Sequence, residues 1–122
     1  MKKFYSLITI IIFIIACQSN SLYRKLSNEL DISNTNFVII ATDYDCSSCI
    51  LGIKNLNKGQ KNTKGLYYSK YPKDILVKLN KLFPDIKWKA GKNKNLLKYL
   101  RKQKDEGPYY IKIKNHSAFI YK

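Results

Sequence analysis

Two cysteines separated by two residues, Cys46-Ser47-Ser48-Cys49, are the part of this sequence best suited to chemistry. They open a stretch whose apolar residues at 49, 50, 53 and 56 follow helical spacing. A sulfur at a helix start meets free N–H groups and the positive end of the helix dipole, which favour the thiolate. A second sulfur one turn on can attack a mixed disulfide and release the product. The spacing therefore suits reversible thiol–disulfide exchange, with Cys46 attacking and Cys49 resolving. Other uses share it. A zinc site needs two further ligands, and the chain offers one histidine and one other cysteine besides its carboxylates. Two thiolates can also hold copper(I) for delivery. A static disulfide would close a loop too small to add much stability.

The elements around this pair alternate. Asn36–Thr42 is a continuous, β-branched apolar run that predicts a strand buried on both faces. The helix follows, with Asp45 or Ser47 as its expected cap. Gly65–Lys70 reads as a second strand. Pro72 suits a first helical position, and Ile75, Leu76, Leu79, Leu82 and Phe83 form an amphipathic stripe ending before Pro84. Asp85–Ala90 predicts a third strand, and Leu96, Leu97, Tyr99 and Leu100 lie in a third helix. Tyr109–Lys114 and Ser117–Tyr121 make a hairpin about a tight turn at Asn115-His116. The expected order is β-α-β-α-β-α-β-β. Such alternation implies parallel pairing through right-handed crossovers, closed by an antiparallel edge. The fold class is α/β, with a central mixed sheet and helices on both faces.

The chain has 122 residues, with 23 Lys+Arg against 8 Asp+Glu and a formal net charge of +15. Its length excludes a multidomain enzyme. Its 45% hydrophobic residues exclude a disordered polyelectrolyte. The first residues read as an export address. Met1-Lys2-Lys3 is a positive start, and Leu7–Ala16 is apolar except for Thr9. That run is about half of what a bilayer core requires, and it has the length of a signal-peptide core. Ile14-Ile15-Ala16-Cys17 resembles the lipobox of bacterial lipoproteins. The resemblance implies a signal peptide over 1–16, cleavage before Cys17, and lipid on its sulfur. Two or three acyl chains make a durable anchor where one does not. Gln18, rather than Asp, implies the outer membrane where the cell has one. Residues 17–35 read as an acylated tether that carries a short helix at Leu22–Leu30, and 36–122 as the folded domain. An exported chain meets no cytosolic nucleic acid, so its cations face solvent, acidic partners or anionic lipid headgroups.

Phe37–Thr42 followed by Cys46-Ser47-Ser48-Cys49 resembles the first strand and redox motif of the thioredoxin superfamily. The extra strand and helix before the hairpin are similar to its membrane-tethered, extracytoplasmic thiol–disulfide oxidoreductases. The resemblance covers about 36–122 and implies a three-layer thioredoxin-like fold. It also implies a cis Gly107-Pro108 bond opening the penultimate strand. Pro108 would pack beside the disulfide, and Gly107 would pair with substrate backbone. No diffusible cofactor or metal is implied. The implied partners are a protein thiol or disulfide substrate and a redox protein that supplies electrons, and a monomer is expected. The chain departs from the family pattern in three places: Asp45 replaces the usual Trp, Ile40 stands where thioredoxins carry a buried acid, and Ser47-Ser48 lacks proline. An anion beside Cys46 opposes thiolate formation. These departures tell against a fast general reductase and leave open a slow or partner-dedicated one, as well as a non-catalytic lipoprotein that binds through the same scaffold with a static disulfide. Nothing completes a hydrolase site around Asp43 and Asp45. Trp88 is expected in the core, and His116 in the hairpin turn.

Overall fold

Six consecutive buried residues, Phe37–Thr42, form strand β1 at the centre of a five-stranded sheet. The computed structural model describes residues 21–121. The expected signal peptide, cleavage point and lipidation at Cys17 therefore lie outside the described residues. β1 pairs in parallel with β2 (Thr63–Tyr68), and β2 in parallel with β3 (Lys87–Ala90). On its other side β1 pairs antiparallel with β4 (Tyr109–Lys114), which turns back into β5 (Ser117–Tyr121). The sheet order is β3-β2-β1-β4-β5. Both edges of β1 carry a hydrogen-bonded neighbour and both faces are covered, which is why its sequence is an unbroken apolar run.

Helix α1 spans 21–29, and α2 (Ser47–Leu51) and α3 (Ile53–Leu56) follow β1. Helix α4 is Pro72–Leu82 and α5 is Lys94–Gln103. One face of the sheet presents Val38, Ile40, Leu66, Tyr109 and Ile111 to leucines of α1 and α5. The other presents Phe37, Ile39, Ala41 and Tyr67 to Ile53, Leu79, Phe83 and Ile86. The architecture is α/β, with a mixed open sheet between two layers of helix. Pro72 begins α4, as its fixed φ favours. Leu82, expected on the buried stripe of α4, is 49% exposed.

Gly65 stands opposite Trp88 in the β2–β3 ladder. A Cβ at Gly65 would lie 2.3 Å from Trp88 Cε3, so only glycine admits the indole there. Trp88 is partly buried and packs against Tyr67 and Phe83. The hairpin turn places Asn115 at φ 52° and His116 at φ 60°. Both residue types tolerate this left-handed region.

The expected tether over 17–35 needs correction from residue 21 on. Leu22, Leu26 and Leu30 are spaced four apart and are buried in the same cluster as the sheet, with Ile32 beside them. Polar contacts fasten the segment as well. The buried Glu29 carboxylate accepts the backbone N–H groups of Lys92 and Asn93, and Lys89 Nζ donates to the Glu29 carbonyl at 2.8 Å. Lys25 Nζ lies 4.8 Å above the Tyr99 ring. The folded unit therefore includes 21–35. The leucine stripe was visible in the sequence, but its polar neighbours and its place beside the export address disguised it.

Candidate functional site

The Cys46–Cys49 pair lies just past the carboxyl end of β1, where parallel strands leave a crevice beyond their ends. The two residues form a disulfide with a Cα–Cα distance of 5.1 Å. Both are exposed. Cys46 is the N-cap of α2, and its Sγ accepts the Cys49 N–H at 3.1 Å, with Ser48 Oγ 3.4 Å away. The expected cap is thereby corrected: neither Asp45 nor Ser47 serves. The single long helix expected here is also corrected. It breaks at Gly52 into two pieces of five and four residues. Ile53 is fully buried, whereas Leu51 is 60% exposed and Leu56 43%. So short a piece summates few peptide dipoles, and beyond them the Cys46 sulfur meets the Cys49 N–H.

The loop between β1 and Cys46 is pinned by its two aspartates. Asp45 Oδ2 accepts the Thr42 N–H at 2.8 Å, and Thr42 Oγ1 accepts the Tyr44 N–H at 3.1 Å. Asp43 Oδ2 accepts from Ser69 Oγ at 2.8 Å and from the Lys70 N–H at 3.1 Å, tying this loop to the one after β2. Burial pushes the Asp45 carboxyl above its ordinary value, and Glu106 adds to the rise. The Thr42 N–H and Arg101 oppose it. Burial likewise pushes the Tyr67 hydroxyl up to about 12, with Asp43 adding.

A cleft of about 250 Å³ opens beside the disulfide. Thr42, Tyr44, Asp45 and both cysteines line one side. Arg101 from α5, the Asp105-Glu106-Gly107 segment and Tyr109 line the other. The Gly107-Pro108 bond is cis, and Pro108 is buried. Gly107 comes so close to the β1–α2 loop that a Cβ there would lie 2.9 Å from Asp45 Oδ1. Tyr109 Oη donates to the Lys104 carbonyl at 2.9 Å and closes the segment before β4.

Of the residues singled out in the sequence, Cys46, Cys49 and Gly107 meet at this one cleft, with Pro108 next to Gly107. Cys17 lies outside the described residues. His116 sits in the β4–β5 turn, with Nδ1 3.3 Å from the Tyr23 hydroxyl, and takes no part in the cleft. Sequence reasoning missed Arg101, Asp105 and Glu106. The two acids directly precede Gly107-Pro108 and could have been noticed. Arg101 belongs to a helix whose leucine stripe gave no hint of it. Among the described residues no group of three or more His, Cys, Asp or Glu is placed to hold a metal ion. Among them too, no helix is long and apolar enough to cross a membrane. Comparison with protein-family models, with curated proteins and with solved structures returned no match to this chain.

Proposed function

We propose that this protein is a membrane-anchored, extracytoplasmic thiol–disulfide exchange protein on a thioredoxin-like scaffold, with Cys46 and Cys49 as its redox pair. The observation that carries the reading is an exposed disulfide of C-x-x-C spacing at the rim of a cleft, with the backbone of Gly107 facing it. In the reduced protein, Cys46 thiolate attacks a substrate disulfide, forms a mixed disulfide and releases one substrate thiolate. Cys49 thiolate then attacks the Cys46 sulfur, closes the Cys46–Cys49 disulfide and releases the second substrate thiolate. Two electrons pass from the pair to the substrate, and a partner redox protein returns them. Gly107 and Pro108 position the substrate backbone, and lipid on Cys17 holds the chain at the membrane.

The deciding measurement is the reduction potential of the Cys46/Cys49 couple, by equilibration in glutathione or dithiothreitol buffers with thiols counted by alkylation and mass. A value between about −270 and −120 mV supports exchange and indicates its direction, whereas a value below about −300 mV marks a structural disulfide. In that case the second reading stands, a non-catalytic lipoprotein that binds a partner through the same scaffold. The shortness of α2 and the Asp45 carboxylate beside Cys46 favour this second reading, because both withhold support from a thiolate.

A further inference from the structure

The sheet gives the molecule two poles. β1, β2 and β3 all run toward the disulfide cleft, which Thr42 at the end of β1 helps to line. Their starting ends, Phe37, Thr63 and Lys87, form the opposite pole. The β4–β5 turn lies at that pole too, because Lys112 pairs with Phe37. Helix α1 also starts there, since the Tyr23 hydroxyl is 3.3 Å from His116 in the turn. Charge divides unevenly between the poles. The opposite pole exposes Arg24, Lys58, Lys61, Lys87, Lys112 and Lys114, against Asp31 and Asp85. The cleft pole mixes signs, with Asp105 and Glu106 beside Arg101 and Lys104.

We propose that the basic pole seats on an anionic lipid surface and holds the Cys46–Cys49 cleft away from it. The inference rests on the anchored reading above. From Cys17 to Ser21 the chain can span at most about 14 Å. A lipid on Cys17 therefore brings the first turn of α1 to the headgroups, and the pole where α1 starts comes with it. So short a connection leaves little room for an acidic protein between that pole and the bilayer, which favours lipid as the occupant. A strand of six residues spans about 20 Å, so the cleft stands about two Debye lengths from the surface. Each cation brought close to an anionic leaflet strengthens attachment about fivefold. The geometry thus makes the lipid charge act on orientation, and it turns the redox pair toward partners outside the bilayer.

The full chain, expressed in bacterial cells and purified from membranes, tests this in vesicles of phosphatidylcholine with and without phosphatidylglycerol. One fluorophore is placed at Gln60→Cys on the basic pole or at Lys70→Cys on the cleft pole, both exposed, with the native pair kept oxidised. Lipids carry a quencher on their headgroups. In anionic vesicles the Gln60 label should be quenched at least about threefold more than the Lys70 label. High salt should shrink that difference, as should Lys58→Glu with Lys61→Glu. Equal quenching at the two poles, or stronger quenching at Lys70, overturns the proposed orientation. The mass of the peptide carrying Cys17 is read in the same preparation. A Cys17 without acyl chains overturns the anchored reading and this inference with it.

Discussion

Asp45 directly precedes Cys46, and its carboxylate both closes the loop and faces Gly107. Burial raises its pKa, so the folded state holds this proton more tightly than the unfolded chain does. The sign follows: the group contributes stability at pH below its unfolded value of 3.8, and that stability is lost as pH rises through the higher folded value. Asp45→Asn removes this loss and keeps an oxygen for the Thr42 N–H. Relative to the parent, its unfolding free energy should therefore rise between about pH 3 and about pH 7, as measured by urea unfolding at both. The same substitution removes an anion beside Cys46, so alkylation titration should find the Cys46 thiol pKa lowered. Gly107→Ala tests the contact from the other side. Its Cβ would meet Asp45 Oδ1 at 2.9 Å, and the carboxylate is the part able to yield. Losing its bond to Thr42 should destabilise the fold by about 1.5–3 kcal/mol, the range for a hydrogen bond to a charged group. With Asp45→Ala already present, most of that cost should vanish in a double-mutant cycle.

At the scale of elements, α1 distinguishes a tether from a structural helix. Leu26 has no exposed surface, so Leu26→Ala should cost about 2–5 kcal/mol in urea unfolding, whereas a tether residue would cost almost nothing. Gly65→Ala would drive a methyl into the indole of the chain's only tryptophan. The expected cost is about 1–3 kcal/mol, with a shift of the Trp88 emission. Much of this architecture was legible in advance. β1 announced itself because a strand covered on both faces has no polar phase to obscure it. Pro72 and the left-handed Asn115-His116 pair marked boundaries through backbone restrictions that belong to the residues themselves. The break at Gly52 and the capping by Cys46 were not legible. Ile53, directly after the break, is packed against the sheet, and the cap is a sulfur rather than one of the usual capping oxygens. The cleft was half visible: the cysteines and Gly107-Pro108 carry signatures, whereas Arg101 arrives only because α5 ends near the start of β4.

For the whole molecule, the fold rests on two apolar clusters and not on its disulfide. The bond joins residues three apart in sequence. By the chain-entropy account its reduction should cost no more than about 2 kcal/mol. Circular dichroism should remain unchanged in dithiothreitol, with only a modest fall in the urea midpoint. A collapse of the spectrum would mean that the pair staples the structure. The sheet order also leaves two unequal margins. β3 has four residues and exposes Lys87 and Lys89, and short lysine-bearing edges resist accretion by other chains. β5 carries no proline, and Phe119 is 47% exposed and Tyr121 56%. When the protein is concentrated or partly unfolded, self-association should begin along β5. A charge at Phe119 would then act as a gatekeeper, raising solubility at little expense to the core.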